Sequence, residues 1–182
     1  MNLTGQLLIA PPTMKDRFWH KTVVLVTENH LRGSLGIIVN KITNLSVNDF
    51  TRQLNEECML PGHIYAGGPV NTNAMTMLHS NDWECENTLK ITGDIGLSSH
   101  KDIIKILAMG SCPRYWRIML GLCVWQPNQL ESELAGKHGY DHNQSWLLAS
   151  SDLETIFEGD TKYCWTQAIE RSSSEFVQKI LD

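Results

Sequence analysis

The chain has 182 residues, 42% of them hydrophobic and 19% charged, which is enough apolar side chain to order a core and too little charge for a disordered tether. Fifteen Lys and Arg against 20 Asp and Glu leave a net charge of −5. The basic residues occur singly except where Arg114 and Arg117 interleave with Tyr115 and Trp116, which argues against direct nucleic-acid binding, whose non-specific affinity comes from a basic stripe.

Gln6 to Ala10 reads as a strand stopped by Pro11 and Pro12. The runs Thr22 to Glu28 and Ser34 to Asn40 read as two strands of a hairpin around Asn29 to Gly33, and because each is apolar nearly throughout, both faces are expected to be buried. Ser46 with Asp49 marks a helix start, with Val47, Phe50 and Leu54 on one face and an end before Pro61. His63 to Gly67 and Ala74 to His79 follow as strands around a Gly-Gly-Pro turn, then Thr88 to Thr92 and Ile95 to Leu97 as extended pieces. Ser99 and Asp102 open a second helix with Ile103, Ile104, Ile106 and Leu107 inward. Tyr115 to Trp125 is the central strand of the second half. Pro127 fits the first turn of a helix that runs through Leu130 and Leu134 to a glycine stop at Gly136. Beyond the polar loop from Lys137 to Gln144 lie a strand at Trp146 to Ala149, a short helix at Asp152 to Phe157 and a longer one at Thr161 to Arg171. No repeat or linker divides the series, so one α+β domain spanning residues 1–182 is expected.

The longest strongly apolar run, Ile118 to Trp125, is well short of the roughly 20 residues that cross a bilayer. No basic segment followed by an apolar one opens the chain, so we expect neither a secretory signal nor membrane insertion. Five cysteines without a CxxC pair point to free thiols in a reducing cytoplasm, and none combines a neighbouring cation with a helix start, so buried, inert thiols are expected.

The chemistry-bearing candidates are few. Gly67 and Gly68 can present backbone N–H groups to an anion, or simply make a turn that only glycine can make. His30 and His79 end strands, where an imidazole beside Glu28 or Asn40 can act as acid or base. His138, Asp141 and His142 resemble a metal cluster, against which Gly136 and Gly139 disfavour the helix that would align the imidazoles. Gln129 and Glu133, four apart, share a helix face, whereas Glu131 and Glu133 point apart. No motif calls for a cofactor, and no feature sets the oligomeric state.

The ordered segments GQLLIAPPTMKDRFWHKTVVLVTENHLRGSLGIIVNK (Gly5 to Lys41), YAGGPV (Tyr65 to Val70), MLHS (Met77 to Ser80) and LGLCVWQPNQLESEL (Leu120 to Leu134) resemble the bacterial AlgH/YqgE family, from about residue 3 to about residue 170. The resemblance implies an α+β domain with a branched, mixed β-sheet folded into a barrel-like core and flanked by helices. Members are often labelled transcriptional regulators, yet the family carries no settled reaction, cofactor or catalytic residue, and a name is not a mechanism. Where the family usually has glycine, this chain has Val124 and Asn128, while Trp125, Gln129, Leu130 and Glu131 match. Two expectations follow: a non-enzymatic regulatory or interaction protein that meets a protein partner, or a small-molecule-binding protein or enzyme with a site at the Gly67-Gly68 turn gathering Asn40, His79, Gln129 and Glu131.

Overall fold

The computed structural model describes residues 2–56, 59–137 and 145–181. The two apolar runs form the expected antiparallel hairpin of β2 (Val23–His30) and β3 (Gly33–Ile38), with a bulge between Val26 and Glu28. Val23 and Leu25 face one hydrophobic core and Val24 and Val26 another. A strand covered on both faces has no polar side to show, which is why its sequence does not alternate. β1 (Gln6–Ile9) pairs with β2, and β10 (Leu147–Ser150) pairs with the other edge of β1.

The branch point is β9 (Trp116–Trp125). Its C-terminal end pairs antiparallel with β3, from Gly36 opposite Cys123 to Ser34 opposite Trp125. Most of its length pairs antiparallel with β6 (Val70–Ser80), and Met119 and Leu120 pair in parallel with β5 (His63–Ala66). β4 (Ile42–Ser46) joins through β5, while β8 (Ile95–Ser98) and then β7 (Thr88–Lys90) extend from β6. The result is one ten-stranded mixed sheet, curled as a half-barrel and flanked by helices.

α1 (Val47–Gln53) starts where expected, its N-cap Ser46 accepting a 3.0 Å hydrogen bond from the Asp49 N–H. With α2 (Ile103–Ala108) it covers a third core built on Ile64, Met77 and Ile118. The opposite face is closed by α4 (Leu153–Phe157) and α5 (Thr161–Leu181), which supply Ile156, Cys164 and Ala168. Between β9 and β10 lies α3 (Gln129–Leu134).

Several boundaries differ from expectation for identifiable reasons. α2 begins at Ile103 with no side-chain cap from Asp102, and Ile106 is only half-buried. Pro127 lies outside α3, whose N-cap is Asn128 in the left-handed region at φ 62°. α5 continues past Arg171 through a serine run, where the Ser173 and Ser174 hydroxyls donate to the carbonyls of Ile169 and Glu170 one turn back, at 2.9 Å each. The four described cysteines are free thiols; Cys123 and Cys164 are buried, whereas Cys85 is half-buried and Cys112, just past the end of α2, is exposed. Among the described residues no helix is long and apolar enough to cross a membrane.

Candidate functional site

Gly67 and Gly68 follow β5 and press directly on β9. The Gly67 N–H donates to the Leu120 carbonyl at 2.7 Å and its own carbonyl accepts from the Ile38 N–H at 2.8 Å. A Cβ on Gly67 would stand 2.4 Å from the Gly121 oxygen and one on Gly68 2.1 Å from the Leu122 carbonyl carbon. Gly121, at φ +78°, faces the same constraint, since its Cβ would stand 2.4 Å from the Gly68 oxygen. Three glycines thus allow two backbones to touch, and the Gly67 amide is consumed in the sheet.

The next turn residues, Pro69 and Val70, do line a cavity of about 250 Å³. Trp125 at the end of β9, Gln129 and Glu133 on α3, Trp146 before β10, and Trp19 with Asp16 after β1 complete its polar and aromatic wall. Glu133 organises it: Oε2 accepts from the indole N–H groups of Trp125 at 3.0 Å and Trp146 at 2.9 Å, and Oε1 accepts from Gln129 Nε2 at 2.9 Å. Gln129 in turn accepts from the Gln126 N–H at 2.9 Å. Asn128 supplies the left-handed entry to α3 that glycine would otherwise supply. Val124, the other glycine replacement, puts its side chain at the cavity.

Asp16 accepts from the N–H groups of Phe18 and Trp19, at 2.7 and 3.2 Å, and Trp19 meets Trp146 edge to face at 5.3 Å. The described lining therefore holds two carboxylates and no cationic side chain. Lys41 lies beside the lining, donating to the Phe18 carbonyl, with its ammonium 4.2 Å from the Phe18 ring centre; burial lowers its pKa, with Cys123 and Asp16 of the lining opposing the shift. Cys123 lines the cavity, but burial pushes its thiol up to about 12, so it is a neutral thiol near pH 7 and a poor nucleophile.

The other residues named from sequence lie elsewhere. Asn40 bridges the start of β2, accepting from Val23 N–H at 2.9 Å and donating to the Lys21 carbonyl at 2.8 Å. Glu131 accepts from Asn29 at 3.0 Å, tying α3 to the β2–β3 hairpin. His30 is exposed beside Glu28, at 3.6 Å. His79 is fully buried opposite Trp116, whereas Gly68 lies against Leu122, six residues along β9 and about 20 Å away. His138, Asp141 and His142 lie outside the described residues, among which no group of metal-ligating side chains gathers. Of the sequence candidates, Gln129 and Glu133 line the cavity next to the glycine turn. The Gln129 and Glu133 spacing was visible in the sequence, whereas nothing local linked Asp16, Trp19 and Trp146 to them.

The family model described as AlgH-like matches residues 7–176. The chain belongs to the AlgH-like family. Relatives include a UPF0301 protein of Vibrio cholerae, 30% identical with 94% of this chain and 92% of that protein covered. A second, from Gluconobacter oxydans, is 33% identical, with 93% and 90% covered. The solution structure of the AlgH protein from Pseudomonas aeruginosa superposes with a TM-score of 0.76 at 28% identity, covering 94% of this chain and 89% of that one. A Corynebacterium diphtheriae protein shares the fold at a TM-score of 0.73 and 17% identity, covering 93% and 86%. In this chain the glycine turn packs against β9, and the cavity forms where that turn meets α3.

Proposed function

We propose that this chain is a non-enzymatic binding protein of regulatory type, whose tryptophan-walled cavity takes a small organic cation and whose effect passes through a protein partner. The observation that carries this reading is Glu133: all three described groups that hold it are neutral N–H donors, so its negative charge is fixed in place and, among the described residues, left uncompensated. Asp16 adds a second carboxylate, and tryptophans provide the surface on which an alkylammonium group is bound by charge and ring quadrupole together. A binding role rather than a chemical one is supported by the neutral Cys123 thiol and by the placement of His79 at the far end of β9. The acidic net charge favours a protein partner over direct contact with nucleic acid.

Tryptophan fluorescence tests the reading, because three indoles line the cavity. Titration with choline or tetramethylammonium should give a saturable change that the neutral carbon isostere of choline does not give, and Glu133→Gln should weaken it about tenfold, the order expected for a desolvated cation–π and charge contact. Equal responses to the charged and neutral probes, or none to either, would sink the proposal.

A further inference from the structure

The opposite end of β9 carries a second concavity, of about 350 Å³, between the sheet and the α4–α5 connection. Arg117 forms part of its wall and is only 8% exposed. It occupies the inward face of β9 two residues before Met119, a fully buried core side chain, so the strand places a guanidinium where its pattern calls for an apolar group. One arm donates to the Val39 carbonyl at 2.8 Å, and the guanidinium carbon lies 4.6 Å from the Tyr65 ring centre and 5.5 Å from that of Phe157. Burial lowers the Arg117 pKa, with Tyr65 opposing the shift.

Every partner so far named is neutral. Among the described residues the ion-paired arginines are Arg52 and Arg171, and neither Arg117 nor its neighbour Arg114 is among them. The nearby acidic groups have other partners: Glu158 accepts from the hydroxyl of Tyr115, itself in the lining, at 2.5 Å, Asp160 accepts from the Lys162 N–H and pairs with the Lys162 ammonium at 2.7 Å, and Asp152 pairs with Arg171. Arg114 is exposed, with its guanidinium carbon 4.9 Å from the Tyr115 ring centre. A buried guanidinium is costly unless a counter-charge offsets it; Arg117 is hydrogen-bonded to the Val39 carbonyl and to the Tyr65 side chain, yet no described carboxylate pairs with it. The same cavity receives Thr161, the first residue of the 21-residue α5, so the positive end of that helix dipole also opens onto it.

We propose that this cavity is a binding site for a small phosphomonoester. Arg114 and Arg117 offer planar forks suited to phosphate oxygens, and Thr161 adds a hydroxyl. Tyr115 and Phe157, stacked at 5.7 Å, give an apolar wall for the organic part. The volume exceeds what inorganic phosphate needs and lies at the lower end of the range for small-molecule sites. Binding here makes and breaks no covalent bond.

Calorimetric titration of the full chain with adenosine 5′-monophosphate, inorganic phosphate and uncharged adenosine tests this. The monophosphate should bind with Kd of about 1 mM or tighter, inorganic phosphate more weakly, and adenosine not at all. Arg114→Ala should weaken monophosphate binding at least tenfold and Arg117→Met should abolish it, with the cation response of the tryptophan cavity unchanged. Should Arg117→Met fail to fold, Arg114→Ala decides alone, since its side chain is exposed. Adenosine binding as well as its monophosphate, affinity unaltered in Arg114→Ala, or no binding of either phosphate probe would overturn the proposal and leave Arg117 as a stacked structural cation.

Discussion

The two ends of β9 hold opposite charges in the same manner. At the C-terminal end Glu133 is fixed by the N–H groups of two tryptophans and a glutamine. At the N-terminal end Arg117 is fixed by a carbonyl and two aromatic rings. Among the described residues neither ion is neutralised by an opposite charge, and both line a cavity. An ion immobilised by dipoles keeps its charge available, whereas a salt bridge would spend it. What distinguishes the ends is the flanking helix: α3 brings a carboxylate to one, and α5 brings a positive helix terminus to the other.

The largest expected effect comes from the contact between the two ends. Gly68→Ala would force its Cβ into the Leu122 carbonyl, 2.1 Å away, with backbone rather than a flexible side chain in the way. Overpacking against backbone should cost about 3 kcal/mol or more, and both cavities should lose their ligand responses together. Urea unfolding reads the first and the two titrations the second. A variant with native stability would mean that the close approach of the Gly67-Gly68 turn to β9 is not fixed.

A smaller change separates the two ends. Glu133→Ala leaves the indole N–H groups of Trp125 and Trp146 without their acceptor, and orphaned part-buried donors put the loss at about 2 kcal/mol. Glu133→Gln keeps a carbonyl acceptor and should cost less, while still removing the charge. In both variants monophosphate binding at the arginine end should be unchanged. If that binding fell in parallel with stability, the ends would be one cooperative unit rather than two sites.

The sheet's centre was legible because β2 and β3 are apolar on both faces, and the Ser46 cap announced α1 through local chemistry alone. Gly136 likewise ends α3 at φ 64°, its neighbour Lys137 donating to the Ser132 carbonyl at 2.9 Å. β4 left little trace, since it pairs only with β5 and is half exposed. The cavities were harder still. Trp146 reaches Glu133 because β10 pairs with β1, and Trp125 reaches it because β9 pairs with β3. Those register choices are non-local, so only the Gln129 and Glu133 spacing carried any local sign of the site. Arg117 stood out beside Arg114 as an exception to the scattered basic residues; its isolation from the described carboxylates depends on where α4 and α5 pack.

The smallest expected effect is a pH dependence confined to the arginine end. His79 is fully buried opposite Trp116; its Nδ1–H donates to the Ser80 carbonyl at 2.9 Å, and Nε2 accepts from the Ser98 hydroxyl at 2.8 Å. Both ring nitrogens are thus satisfied in the neutral form, and protonation would turn Nε2 into a donor facing Ser98. Burial lowers the imidazole pKa from 6.5, with the Ser80 carbonyl and Asp82 opposing the shift. Above pH 6.5 the ring is neutral both folded and unfolded, so it contributes no pH dependence there. As pH falls below that value the unfolded chain takes up a proton that the folded chain refuses, so stability declines until the folded pKa is reached and then levels off. Melting temperature measured from about pH 7 down to about pH 5 should therefore fall more steeply in the native chain than in His79→Gln, which cannot titrate. Parallel melting curves for the two proteins would show that the proton is taken up elsewhere.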